Sequence, residues 1–164
     1  MSDIVEQVLA GNASYAEEFH DPDLPTAPGR QAALVTCMDS RIDALAAFGL
    51  ALGDAHIVRN AGAVVTDDME RSLLLSQYAM DTRTIVVIGH TRCGLIGVDE
   101  EAVGDTVEAH TGARPGFAIG SITSAEAGVR TSVERLRNSP VLRYTDDVHG
   151  YVYDVDTGRL APVD

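Results

Sequence analysis

Three short apolar runs limit what this chain can fold into. Ala32–Thr36 (A-A-L-V-T), His56–Arg59 (H-I-V-R) and Thr84–Ile88 (T-I-V-V-I) each read as a strand, with helix-like segments between them. The third run is β-branched almost throughout, which suits a pleated strand. The first is apolar without alternation, as expected of a strand covered on both faces. Strands that alternate with helices predict an α/β fold with a mainly parallel central sheet and flanking helices. Gly150–Val155 reads as a last strand, followed by a turn at Thr157-Gly158, and can run antiparallel at a sheet edge.

The spacing predicts an acidic amphipathic helix over 3–19, with Ile4, Val5, Val8 and Leu9 on one face. Three prolines between Asp21 and Gly29 make the next segment an extended connection. Residues 1–30 therefore read as an N-terminal helical arm, and 31–164 as a single α/β domain. A second helix is expected from Arg41 to Phe48. A third starts at a Thr66 cap, with Asp67 and Asp68 where the helix dipole favours anions. It runs to Met80 with Met69, Leu73, Leu74, Tyr78 and Met80 as its apolar face. Thr123 and Glu126 have capping-box spacing, and Val129, Val133 and Leu136 line the helix that follows. That helix must stop by Pro140. Residues 95–121, glycine-dotted and acidic, carry no assignable pattern.

Each apolar run delivers reactive residues. Cys37 opens C-M-D-S-R after the first, Asn60-Ala61-Gly62 follows the second, and G-H-T-R-C-G follows the third. In an open parallel sheet, functional groups gather beyond the carboxyl ends of the strands, so Cys37, His90 and Cys93 belong at one edge. Two thiols and an imidazole are the donors of a catalytic zinc site that keeps its fourth position open. Water, Asp39 or substrate can fill that corner. Gly89 and Gly94 are expected to give the H-x-x-C loop its freedom.

Blander roles stand beside these. Asp39 can cap the helix that starts after it, Arg41 can be a surface cation, and His90 alone can be a satisfied core histidine. Two cysteines can be buried small hydrophobes. The remaining histidines have no partner motif, and the acidic runs Asp67-Asp68, Asp99-Glu100-Glu101 and Asp146-Asp147 read as solvated faces. Arg92 is expected to be solvated or to pair with an acid at a subunit contact.

Charge narrows the function classes. A formal net charge of −13 repels phosphate backbones and anionic membranes, which argues against nucleic-acid binding but leaves small neutral substrates open. The start of the sequence has no basic segment and no continuous apolar stretch, so no secretory signal is expected. No run approaches the roughly 18 apolar residues of a membrane span. Two cysteines in such a chain favour a cytoplasmic metal site over a disulfide.

The segments C-M-D-S-R, R-N-A-G-A and G-H-T-R-C-G resemble the three signature segments of the β-class carbonic anhydrases, in the same order. The resemblance is tight from about Ala32 to Gly94 and looser to the C-terminal strand. It implies a Zn2+ enzyme that reversibly hydrates carbon dioxide to bicarbonate by attack of zinc-bound hydroxide. The implied ligands are Cys37, His90 and Cys93, and the implied catalytic pair is Asp39 and Arg41. Ala61, Gly62 and Gly94 would line the substrate pocket. In a regulatory subclass the acid leaves its arginine for the fourth zinc position. That subclass uses a tryptophan, which this chain lacks, and the open form is favoured here. The resemblance also implies a homodimer or a tetramer of dimers. Two other readings are a carbonyl sulfide or carbon disulfide hydrolase with the same zinc hydroxide, and a non-catalytic zinc- or bicarbonate-binding protein.

Overall fold

The computed structural model describes residues 3–21 and 23–163. A five-stranded sheet forms the centre, in the order β2-β1-β3-β4-β5. The strands are β1 (Ala32–Cys37), β2 (Ala55–Asn60), β3 (Thr84–His90), β4 (Val148–Tyr153) and β5 (Leu160–Pro162). β2, β1, β3 and β4 are mutually parallel, and only β5 runs antiparallel, beside β4. The mainly parallel sheet is thus as expected, with one correction. The last long strand spans 148–153 rather than 150–155 and lies inside the sheet, and the antiparallel edge is the short β5.

The helices are α1 (Asp3–Glu18), α2 (Ala44–Phe48), α3 (Asp67–Met80), α4 (Glu100–Thr111) and α5 (Ala125–Arg137). One sheet face, carrying Ala33, Val35, Ile85, Val87, Val148 and Val152, packs against Met69 and Leu73 of α3 and Val129, Val133 and Leu136 of α5. Every residue from Ala33 to Cys37 is buried, as a centrally placed parallel strand requires.

Several local expectations shift. α2 begins at Ala44, capped by Asp43, whose carboxylate accepts from the Ala46 amide. Asp39 is therefore not its cap. Thr66 does cap α3 by accepting from the Met69 amide. The buried face of α3, however, is Met69, Leu73, Ser76 and Gln77, while Tyr78 is 58% exposed. Two polar residues win that face because they are bonded there. Ser76 Oγ meets His56 Nδ1 and Thr82 Oγ1, both at 2.7 Å. Gln77 serves the backbone of Arg143 and Tyr144. α5 is capped by Ser124, one residue after the expected Thr123, and Glu126 is not its capping-box partner.

The unassigned stretch contains α4. Asp99 caps it, accepting from the Glu101 and Ala102 amides. Glu100 accepts from the Ile119 and Ser121 amides, folding 112–121 back over the helix, and Glu101 pairs with Arg114. That acidic run is structural rather than merely solvated. Asp67 likewise pairs with Arg135, and Asp147 accepts from Thr84.

Gly89 is a further correction. It lies in β3, and a Cβ there would sit 2.7 Å from Val129 Cγ2, so its absence lets α5 approach the sheet rather than loosening the loop. The unusual backbone conformation in that loop belongs to Arg92, at φ +53°.

Candidate metal centre

Parallel pairing brings the reactive residues to one edge. Cys37, the last residue of β1, is in register with Asn60 at the end of β2, and His90 ends β3 on the other side. Cys93 follows one turn later. The donor atoms of Cys37, His90 and Cys93 lie within 4.8 Å of one another, and all three residues are buried.

The details suit a tetrahedral cation. Two sulfur ligands at zinc's usual bond length sit roughly 3.8 Å apart, and Cys37 Sγ and Cys93 Sγ are 3.9 Å apart. His90 Nδ1 lies 2.9 Å from the Thr91 carbonyl. A carbonyl only accepts, so Nδ1 carries the proton and Nε2 keeps its lone pair. That Nε2 is buried without a hydrogen-bond partner among the described residues. An orphaned buried acceptor facing two thiols is the arrangement a metal completes. Burial pushes the Cys93 thiol up, and Cys37 beside it adds to the effect, so a cation must displace a proton to bind. The Gly62 amide donates to Cys37 Sγ at 3.3 Å, a hydrogen bond that favours the thiolate.

Asp39 and Arg41 stand beside this cluster. Arg41 grips the carboxylate with two nitrogens, Nε to Oδ1 at 2.8 Å and Nη2 to Oδ2 at 2.7 Å, and its amide donates to Oδ1 at 2.9 Å. The hydrogen bonds from Arg41 hold the Asp39 carboxyl well below the usual carboxylate range. Asp39 Oδ2 lies 3.7 Å from His90 Nε2, within reach of anything the metal would hold. Arg41 is thus not a free surface cation.

A cavity of about 320 Å³ opens over the cluster, lined by Met38, Asp39, Ala61, Gly62, Gly94 and Leu95 with the two cysteines. Ala61, Gly62 and Gly94 all line this cavity. Gly62 is required by geometry: its φ is +74°, and a Cβ would fall 2.5 Å from Leu95 Cδ2.

The carbonic anhydrase family model matches residues 32–160, from the first residue of β1 to the first of β5. β-Carbonic anhydrase 1 of Mycobacterium tuberculosis is 38% identical, over 98% of each chain. The chain belongs to the β-carbonic anhydrase family. The solved carbonic anhydrase of Streptococcus mutans superimposes with a TM-score of 0.93 at 36% identity, covering 100% of this chain and 99% of that one. A carbon disulfide hydrolase from an Acidianus strain is 33% identical over 77% of this chain and 74% of its own.

Within the β-carbonic anhydrase frame, some contributors escaped the sequence reading. Arg59 donates from Nε to the Cys37 carbonyl and from Nη2 to the Asp39 carbonyl, both at 2.8 Å, which pins the segment that presents a thiol and the acid. The available signal was a lone charge at the end of an apolar strand run. Arg92, still largely exposed, pairs with Asp156 of its own chain. His149 and His110 have local partners, Asp147 and the Thr106 carbonyl, and lie away from the cluster. His56 serves Ser76 and the Thr26 carbonyl.

Proposed function

We propose that this chain is a zinc carbonic anhydrase that interconverts carbon dioxide and bicarbonate. The observation that carries this reading is the convergence of Cys37, His90 and Cys93 with an arginine-clamped carboxylate 3.7 Å from the orphaned histidine nitrogen. Cys37, His90 and Cys93 would hold zinc, which when bound would supply a Lewis acid able to bring the pKa of a water towards neutrality. Asp39, kept ionised by Arg41, can only accept a hydrogen bond, so it turns the attacking oxygen's lone pair towards the substrate carbon. Its two-point grip on Arg41 supports a resting state in which it stays off the fourth position. Carbon dioxide would occupy the cavity between Met38, Ala61, Gly62 and Leu95, whose apolar walls favour a neutral gas. Addition of water to its carbon gives bicarbonate, and the released proton passes to solvent.

The reading extends to assembly and place. α1 has no buried residue, and Ile4, Val8 and Leu9 are each about 60% exposed, so this apolar face supports docking on a second copy, in a homodimer or a tetramer of dimers. Residues 1–30 would serve as that arm and 31–164 as the catalytic domain. The two thiols need a reducing compartment, which supports the cytoplasm. No helix among the described residues is long and apolar enough to cross a membrane.

Stopped-flow hydration with the zinc-loaded chain, from about pH 6 to pH 9, tests the reading. Turnover that falls about 100-fold in Asp39→Asn is expected, because the amide can donate where only acceptance is wanted. Bound zinc without turnover would overturn it, and hydrolysis of carbon disulfide in preference to hydration would move the chain to the sulfur branch.

A further inference from the structure

The loop between His90 and Cys93 is held from outside the three signature segments. The Thr91 amide donates to the Tyr153 carbonyl at 2.9 Å. Its hydroxyl donates to Asp154 Oδ1 at 3.3 Å and accepts from the Val155 amide at 3.1 Å. Asp154 is itself fixed by the turn joining β4 to β5. Its Oδ1 also accepts from the Asp156 amide and its Oδ2 from the Thr157 hydroxyl, both at 2.9 Å, while its own backbone bonds Gly158 and Arg159. The Arg92–Asp156 pair ties the same turn to the next residue of the loop.

This short loop segment performs two tasks at the metal centre. The Thr91 carbonyl accepts a hydrogen bond from His90 Nδ1–H and so aims Nε2 between the thiols. The Arg92 carbonyl, one residue on, accepts from Arg41 Nη2 at 3.0 Å and so seats the arginine that clamps Asp39. Arg92 does this from a left-handed conformation, which non-glycine residues hold only when their surroundings impose it. The imposing contacts are those from the β4–β5 turn.

We infer that Asp154, acting through Thr91, is a positioning residue of the metal centre, with one loop orienting both the histidine ligand and the Asp39–Arg41 pair. The inference rests on the reading of Cys37, His90 and Cys93 as zinc ligands. Outer contacts of this kind, which orient a ligating histidine, commonly change metal affinity 10–100-fold when removed.

The test uses the full chain, its Thr91→Val, Thr91→Ser and Asp154→Ala variants, zinc affinity by competition with a chromophoric chelator, and the visible spectrum of the cobalt-substituted protein. Valine keeps the shape of threonine and loses both hydroxyl bonds. Thr91→Val and Asp154→Ala are expected to weaken zinc binding at least tenfold and to alter the cobalt bands, with kcat falling more than KM rises. Thr91→Ser should stay within about threefold of the parent, because it keeps the hydroxyl. Zinc affinity within about twofold of the parent and unchanged cobalt bands in Thr91→Val would overturn the inference, whatever its thermal stability. Should Thr91→Val not fold, the same two readouts on Asp154→Ala decide it. A parent chain that takes up neither zinc nor cobalt overturns the metal reading itself. A parent that binds zinc and hydrates carbon dioxide beside unaffected variants sinks only the role of Asp154.

Discussion

The approach of α5 to the sheet is set by two glycines and one valine, and it gives a quantitative handle on how His90 is carried. In Gly89→Ala the new methyl would lie 2.7 Å from Val129 Cγ2 and 3.4 Å from the Ala125 carbonyl. Carbon atoms pack at about 3.5–4.0 Å, so roughly 1 Å must be found. Val129 cannot supply it by rotation: its other methyl lies 2.7 Å from where a Cβ on Gly150 would be, and the residue is 1% exposed. The helix must lift, and overpacking of this sort costs about 1–3 kcal/mol, here about 2. Val129→Ala alone removes two buried methyl groups, a loss of about 2 kcal/mol from transfer and cavity together. Independent effects would sum to about 4 kcal/mol in the double variant. Because the alanine methyl enters the space the valine vacates, the expected double-variant loss is instead about 2 kcal/mol, a coupling of about 2 kcal/mol. Urea unfolding at one fixed free zinc concentration reads this directly, with Tm falling roughly 4–8 °C in each single variant. Additivity within about 0.5 kcal/mol would show that α5 does not rest on Gly89, and the packing argument would be wrong.

Other expectations are simpler to state. Gln77→Ala strips three hydrogen bonds from the backbone of residues 143 and 144 and should cost about 2–4 kcal/mol in urea unfolding, while a cost under about 0.5 kcal/mol would mean water replaces them. Glu70 accepts from Ser139 and Arg135, which hold its carboxyl below its ordinary value of 4.5. Its contribution is therefore present above that value and lost as pH falls below it. The stability gap between the parent and Glu70→Gln should be flat from about pH 5 upward and close in acid, and a gap that widened on acidification would contradict the assigned direction. Arg59→Ala frees the Cys37 and Asp39 carbonyls, and zinc affinity by chelator competition should drop at least tenfold, an unchanged value counting against Arg59 as a support of the site.

What the sequence revealed and what it hid divide along a physical line. Cys37, Asn60 and His90 were legible because a parallel sheet converts the ends of apolar runs into neighbours, whatever chain length lies between. The helix capped by Thr66 and the helix lined by Val129 were legible because caps and apolar spacing are properties of a few consecutive residues. Even these local signals slip when two residues compete, as where Ser124 rather than Thr123 takes the cap and Asp43 rather than Asp39 starts α2. Buried polar residues were hidden. Gln77 displaced Tyr78 from the core face only because a backbone segment 66–67 positions away needed its amide. The region around Glu100 showed no pattern because its carboxylate pairs with amides 19 and 21 residues on. The reactive groups announce themselves by residue type, while the groups that aim them, Arg59 and Asp154, are ordinary charged residues until the fold supplies a partner. In this chain the donors of the centre can thus be read one residue at a time, and its orientation only from contacts that span the sheet.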